Sequence, residues 1–483
     1  MNDKKPFYIT TTLPYVNAKP HVGHALEFVR ADAVARSKAL MGHPVFFNTG
    51  TDEHGVKIYQ KAAEQGVDIQ DYVDEYSGNI RKLTEQLDMA TDVEGITFNF
   101  VRTTDADHIA AAQAFWKVCD EKGYIEKRKY KGMYCVSEEL FIPEKDLDEE
   151  GKWKDHPEKE LIEIEEENYF FKASEFSAQL LEHFEANPEF AIPQARSNEM
   201  KAFLERGLED FSISRVKEKM PWGIPVPGDD EHVMYVWFDA LVNYIDVIGW
   251  PNDMEKIEKW WPVTQYCGKD NTRQQSVMWQ SMLLAAGLPL SEKIVINGFV
   301  TGEGGVKMSK SLGNVIDPIE IIEEYGVDAL RYYLLREVHA FEDSAFTMDK
   351  FNEAYNANLA NGIGNLASRL LNLGEKNLDA APEIPPANIP EDLKQAISEY
   401  RLDRACDIVW RHIGELDVEI AEKEPYKLVK TDPEAAKEML REMLVKLYDI
   451  ARMLRPFLPQ TSRTIKDLIK VNKKPEEPLF LRK

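Results

Sequence analysis

Two short segments of this chain carry residue types suited to handling phosphate. Pro20-His21-Val22-Gly23-His24 sets two imidazoles three residues apart, and Gly304-Gly305-Val306-Lys307-Met308-Ser309-Lys310-Ser311 puts two lysines and two hydroxyls on a glycine loop. Taken singly, each has an ordinary reading: paired histidines pack at helix starts, and Gly/Lys/Ser loops are solvated hairpins. Together they suit one task, holding the triphosphate of ATP from two sides while a nucleophile attacks the α-phosphorus. Charge then builds on the non-bridging oxygens and the departing pyrophosphate. Fixed cations and N–H donors aimed at those oxygens are the main catalytic lever for such a transfer.

Such groups need a scaffold. Phe7-Tyr8-Ile9-Thr10-Thr11-Thr12-Leu13 reads as a buried strand, ended by Pro14. From His21 to Met41 the apolar residues keep helical spacing, with Gly42 as the residue past the helix end. Val45-Phe46-Phe47 is the next strand and runs into Gly50-Thr51-Asp52-Glu53-His54-Gly55. Strand, helix, strand at this spacing predicts a βαβ unit and a parallel sheet, with a phosphate site at the helix start. Further strands are expected at Val233–Asp239, Tyr266–Asp270 and Ile294–Gly298. Between the two halves, Trp116 to Glu209 is acidic and turn-rich and reads as an insertion. After Met348 the strand signals give way to helical patterns such as Leu359–Leu373 and Glu434–Leu454, joined by a Pro-rich link.

The fold class expected is therefore α/β: a split Rossmann-type nucleotide-binding domain with an inserted connective domain, followed by an all-α helix bundle. The boundaries fall at 1–115 and 210–300 for the catalytic halves and 116–209 for the insertion. Residues 301–347 form the lysine loop and stem-contact region, and 348–483 the helical domain.

The net charge of −25 at first sight opposes nucleic-acid binding. It is unevenly spread, however. Glu138 to Glu167 holds 4 lysines and 14 acids, whereas Arg463 to Lys483 holds 7 basic residues against 3 acids. Binding RNA needs only local positive potential, so the total decides nothing. No apolar leader or membrane-length run is present, and the four cysteines are scattered without a C-x-x-C pair. A cytoplasmic protein without a structural zinc is expected, and no membrane association.

Pro14-Tyr15-Val16-Asn17 leading to His21-Val22-Gly23-His24, together with Lys307-Met308-Ser309-Lys310-Ser311, resembles the two signatures of class I aminoacyl-tRNA synthetases. Thr49–Gly55, Tyr235-Val236-Trp237-Phe238-Asp239-Ala240 and Gly364-Asn365-Leu366-Ala367-Ser368-Arg369 narrow the resemblance to the methionyl branch. It spans almost the whole chain. It implies that methionine and Mg-ATP (ATP with Mg²⁺) form methionyl-adenylate, whose acyl group passes to the 3′ end of tRNA(Met). By the same resemblance His21, His24, Lys307 and Lys310 act on the phosphates, and Gly268 and Asp270 bind the nucleotide ribose. Asp52 takes the methionine ammonium with Arg215 as its partner. Leu13, Tyr15, Trp237, Ala240, Leu241 and Tyr244 match the side-chain pocket, which suits a polarisable thioether. Asn365, Arg369 and Tyr426 match the anticodon contacts.

The chain also departs from that pattern. Cys135 has Glu138 where a second zinc cysteine belongs, and Asp155-His156-Pro157 lacks the other pair, so no structural zinc is expected. Tyr426 replaces a tryptophan. Asn271 and Gln275 replace an isoleucine and a histidine; spaced four apart, they are expected on one helix face and in hydrogen bond to each other. No appended dimerisation domain is evident, so a monomer is expected. The alternatives are a class I synthetase for another amino acid and an HxGH nucleotidyltransferase.

Overall fold

The computed structural model describes all residues except 1–3, 91–92, 136–139, 143–145, 155, 307, 309–314 and 387–388. Its centre is a sheet of six parallel strands in the spatial order Ile96–Arg102, Val45–Thr51, Phe7–Thr10, Val263–Gly268, Lys293–Asn297, Ala191–Ile192. Val45–Thr51 is buried at every position, as a strand covered on both faces requires. Helix α1 (Val22–Leu40) connects the first two strands and is itself buried nearly all round, Arg30, Asp32 and Arg36 included. The winding direction reverses between Phe7–Thr10 and Val263–Gly268. A crevice opens beyond the carboxyl ends of strands at such a switch point.

Residues Val233 to Asp239, expected as one strand, divide. The strand Asp229–Met234 pairs antiparallel with Ser214–Val216 and Pro225–Val226 in a separate three-stranded sheet. Val236–Leu241 is helical and buries Phe238 and Leu241. A short apolar run satisfies either period, and here packing selected the helix.

Within 116–209, the strands Ile125–Cys135 and Leu161–Phe171 pair antiparallel along eleven residue positions each, flanked by Leu140–Ile142 and Phe211–Ser212. The same stretch sends Ala191–Ile192 back to the edge of the parallel sheet beside Ile294 and Val295. Beyond Thr347 the described residues form helices. The expected helix Leu359–Leu373 is two: a wide-turn segment Tyr355–Gly364, irregular at Gly362, and the α-helix Asn365–Asn377. The long helices Leu402–Lys423 and Pro433–Leu454 pack beside it. Among the described residues no helix is long and apolar enough to cross a membrane.

Candidate active site

The first strand passes Thr10 and turns at Pro14, where Tyr15 bridges to Asp52 in parallel register. The Asp52 amide donates to the Pro14 carbonyl (3.0 Å) and the Val16 amide to the Asp52 carbonyl (3.1 Å). The neighbouring Glu53 points the other way. It is fully buried and takes Arg102 through both carboxylate oxygens (2.7 and 2.9 Å), with the hydroxyls of Thr51 and Thr104 at 2.6 and 2.5 Å. Glu53 is thus an anchor, and its alternation with Asp52 leaves Asp52 lining the crevice.

The start of α1 is capped by imidazoles. Nδ1 of His21 accepts from the Gly23 amide (3.1 Å), and Nδ1 of His24 accepts from the His21 amide (3.2 Å). With both δ nitrogens accepting, each neutral ring carries its proton on Nε2 and offers it as a donor. The rings stack with centroids 4.0 Å apart. Burial, reinforced by the nearby His21, lowers the His24 pKa to about 3, so His24 is neutral at physiological pH. Gly23 is required here, because a Cβ at that position would lie 2.8 Å from the His21 ring.

One turn further along α1, Glu27 enters the same crevice. Its Oε1 accepts from the Thr12 amide and hydroxyl, both at 2.6 Å. Burial raises its pKa to about 8, with the charge of Asp270 adding and the bonds from Thr12 and the Gly268 backbone opposing. Glu27 was missed in reading the sequence. The signal was its spacing: 21, 24 and 27 recur every three residues and share one helix face.

These groups surround a cavity of about 430 Å³. His21, His24, Glu27, Gly268 and Asp270 line one part, and Asp52 another. Leu13, Tyr15, Trp237, Ala240, Leu241 and Tyr244 supply an apolar and aromatic wall, and Asn271 and Gln275 also line it. A Cβ on Gly268 would come within 2.6 Å of the Asp270 carboxylate, so glycine leaves that carboxylate room.

The expected Asn271–Gln275 hydrogen bond is not formed. Lys269–Asn271 is a 3₁₀ turn and Gln274–Met278 a π-helical segment, so the spacing of four does not stack the two side chains as an α-helix would. Gln275 is buried, and its Oε1 accepts from Gln265 Nε2 (2.7 Å) while its Nε2 donates to the Tyr244 hydroxyl (2.8 Å). Gln265 in turn accepts from the Ser291 hydroxyl at 2.6 Å. Because the Tyr244 oxygen accepts a hydrogen bond from Gln275, its own hydroxyl proton is left to donate elsewhere. Burial keeps that phenol protonated.

Arg215 lies in the wall of an adjoining cavity of about 740 Å³, which shares Trp237 and Asp270 with the first. Its guanidinium donates to the Ser212 hydroxyl (3.0 Å) and the Ser214 carbonyl (2.7 Å) and sits 4.2 Å from the centre of the Tyr235 ring. Strands of the inserted sheet supply Arg128, Tyr130 and Phe170 to the same cavity.

Lys307 and Lys310 lie outside the described residues, as do Ser309 and Ser311. Met308 is described and packs against the main core. Gly304 and Gly305, at φ 69° and 79°, make the turn that leads into the loop. Glu138 and Asp155 also lie outside the described residues, while Cys135 is buried at its strand end. In the bundle Asn365 is exposed, Arg369 is paired with Asp417 at 2.9 Å, and the exposed Tyr426 ring has its hydroxyl on Glu424.

This geometry has known counterparts. The family model described as tRNA synthetases class I (M) matches residues 7–152 and 155–371. Methionine–tRNA ligases of Brucella suis and Rhizobium meliloti are 37% and 38% identical to the chain, covering 97% and 98% of it and 92% and 93% of their own lengths. The corresponding protein of Thermotoga maritima is 38% identical over 98% of this chain and 76% of its own. The Mycobacterium tuberculosis methionyl-tRNA synthetase in complex with methionyl-adenylate superimposes with a TM-score of 0.87 at 35% identity, over 96% of this chain and 94% of that one. With a family model spanning most of its length and relatives of this identity at nearly full coverage, the chain belongs to the methionine–tRNA ligase family of class I tRNA synthetases.

Proposed function

We propose that the crevice joins methionine to ATP, releasing pyrophosphate, and then passes the methionyl group from the adenylate to the 3′-terminal ribose of tRNA(Met), releasing AMP. One observation carries this reading. Two imidazole Nε2–H donors, the carboxylates of Asp52 and Asp270 and an apolar wall converge on one cavity at the switch point of the sheet.

The residues divide the work by chemistry. Asp52 attracts the methionine ammonium. Its carboxylate opposes the donors at α1, which orients the substrate carboxylate toward the α-phosphorus. The side chain enters the wall of Leu13, Tyr15, Trp237, Ala240 and Leu241, and the Tyr244 hydroxyl donates to the thioether sulfur. Asp270 accepts from the ribose hydroxyls beside Gly268. His21 and His24 donate to phosphate oxygens at the helix start, where the backbone field also favours anions. Lys307 and Lys310 approach the β- and γ-phosphates and stabilise the leaving pyrophosphate, and magnesium enters with the ATP. The adjoining cavity, walled by Arg128, Arg215 and the inserted sheet, is suited to the tRNA acceptor end.

The helical domain takes the anticodon through Asn365 and Arg369, with Tyr426 as a stacking platform. Stacking one base contributes about 1–3 kcal/mol. Tyr426→Ala therefore weakens tRNA charging while sparing adenylate formation, and loss of both would assign Tyr426 to folding instead. The reaction itself is tested by ATP–pyrophosphate exchange. Methionine should drive it best; faster exchange with leucine, isoleucine or cysteine would overturn the assignment. The chain is proposed to act as a cytoplasmic monomer, checked by gel filtration at low concentration.

A further inference from the structure

His54 and Asp239 belong to the segments Thr49–Gly55 and Tyr235–Ala240, yet both lie behind the lining of the crevice. They meet there. His54 Nδ1 stands 3.2 Å from Asp239 Oδ2, with side-chain exposures of 6% and 0%. Each sits beside residues that do line the crevice. His54 follows Asp52 by two residues, and Asp239 lies on the helix Val236–Leu241 between Trp237 and Ala240. The contact therefore joins the turn that carries the Asp52 carboxylate to the helix that carries the apolar wall.

Both segments have other anchors, and these face elsewhere. The Glu53 carbonyl accepts from Trp222 Nε1 (2.6 Å), and the Gly55 amide donates to the Trp222 carbonyl (3.3 Å) at a φ of 119°. The wall is gripped past its helix: Asn243 donates to the Ala240 carbonyl (2.5 Å) and accepts from Asn48 (3.0 Å), and the Tyr8 hydroxyl donates to the Tyr244 carbonyl (2.9 Å). A carboxylate without exposed surface needs a cation or a proton donor. The basic groups facing Asp239 are His54 and, on the helix Ala106–Glu121, His108. His108 is engaged by a carboxylate of its own, with Nδ1 2.5 Å from Asp246. Among the described residues no further hydrogen-bond donor reaches either Asp239 oxygen. A polar contact also fixes distance and angle, which apolar packing does not.

We propose that His54 and Asp239 are positioning residues for amino-acid recognition, holding the Asp52 carboxylate at a set distance from the wall of Trp237, Ala240 and Leu241. The inference rests on the proposed reaction, in which Asp52 takes the ammonium and the wall takes the side chain. An amino acid spans the two at once. The nucleotide is held in the other part of the cavity, so the pair acts on methionine and not on ATP.

Variants of the full chain separate direction from packing. His54→Leu/Asp239→Leu removes both partners and leaves neither of them as an unpaired buried charge, so the fold should survive. Its methionine KM in ATP–pyrophosphate exchange should rise about tenfold, with the ATP KM within about twofold of the parent. His54→Asn keeps an amide donor near the place of Nδ1 and should recover most of the methionine affinity despite its smaller volume. His54→Gln, whose amide mimics Nε2, should not. Equilibrium dialysis of methionine alone should give the same order without requiring the reaction. A parent that binds methionine but does not exchange removes the proposed reaction, and the order in dialysis still decides the pair. A double variant that binds methionine as the parent does, or one that loses methionine and ATP alike, overturns the inference. Should the double variant fail to fold, equal methionine affinities of His54→Asn and His54→Gln overturn it instead.

Discussion

Glu27 is an acid whose pKa has moved across neutrality, from the ordinary carboxylate range up to about 8, chiefly through burial. A carboxyl raised in this way keeps its proton below that value and loses it as the pH climbs through it. Deprotonation would add a negative charge beside Asp270, in the part of the cavity proposed to take the nucleotide. We therefore expect the KM for ATP to rise above about pH 8 and Glu27→Gln to abolish that rise; an unchanged profile in the variant would remove Glu27 from nucleotide binding. On the amino-acid side of the proposed reaction, the hydrogen bond from Gln275 to the Tyr244 oxygen would leave the phenol proton for a substrate sulfur, and such an amide relay has no titrating group between pH 5.5 and 8. A single hydrogen bond contributes about 0.5–1.5 kcal/mol. Gln275→Met should therefore weaken methionine several-fold, norleucine much less, and leave the methionine KM flat across that pH range. Equal losses for both substrates would mean that the relay shapes the wall and does not direct the proton.

At the scale of the element, α1 does two jobs with one sequence. Its first turn presents the two imidazoles, and their positions depend on a capping arrangement made by the imidazoles themselves. Gly23→Ala separates activity from stability here. Alanine favours the helix by about 0.5–1 kcal/mol over glycine, but its Cβ would meet the His21 ring at 2.8 Å and displace it from the Gly23 amide. The variant should melt within a degree or two of the parent and exchange pyrophosphate at least tenfold more slowly. A variant of full activity would show that His21 need not hold this position. Further along, the same helix turns from chemistry to assembly. Arg30 donates to the Asn297 side chain and to three carbonyls between Val338 and Ala340, tying the sheet to the segment that enters the bundle.

At the scale of the whole molecule, the parallel sheet and the helical bundle share one hydrophobic core. It runs from Ile9, Phe47 and α1 through Tyr332 and Leu335 to Leu447, Phe457 and Phe480. Arg331 crosses this junction, donating to the carbonyls of Leu87, Pro456 and Phe457 while pairing with Asp32. Removing one partner of a buried ion pair destabilises by about 3–5 kcal/mol, because the other is left uncompensated. Arg331→Met should lower the melting temperature by several degrees, and sheet and bundle should still unfold in a single transition. Two separate transitions, with exchange surviving the first, would show that the helical domain is only loosely docked. On the proposed function, a junction that unfolds as one unit would keep the crevice at a set distance from Asn365, Arg369 and Tyr426.

What the sequence determined by itself was whatever short range controls. The strand–helix–strand order, the histidines at a helix start and the acids following strand ends are local patterns. In the structure His21, His24, Asp52 and Asp270 do line one cavity. What only tertiary structure decided was each choice among distant partners. Val236–Leu241 is helical because Phe238 and Leu241 found a core, although its residues suit a strand equally well. Gln275 bonds to Gln265 and Tyr244, ten and thirty-one residues away, and not to the Asn271 that local spacing suggested. Arg215 hydrogen-bonds to Ser212 and Ser214 and stacks on Tyr235 in a wall built by the inserted sheet. Asp32 pairs with Arg331, about three hundred residues away in sequence, so no window on the chain contains that junction. Periodicity states which face of an element is buried, but only the packed fold states what that face meets.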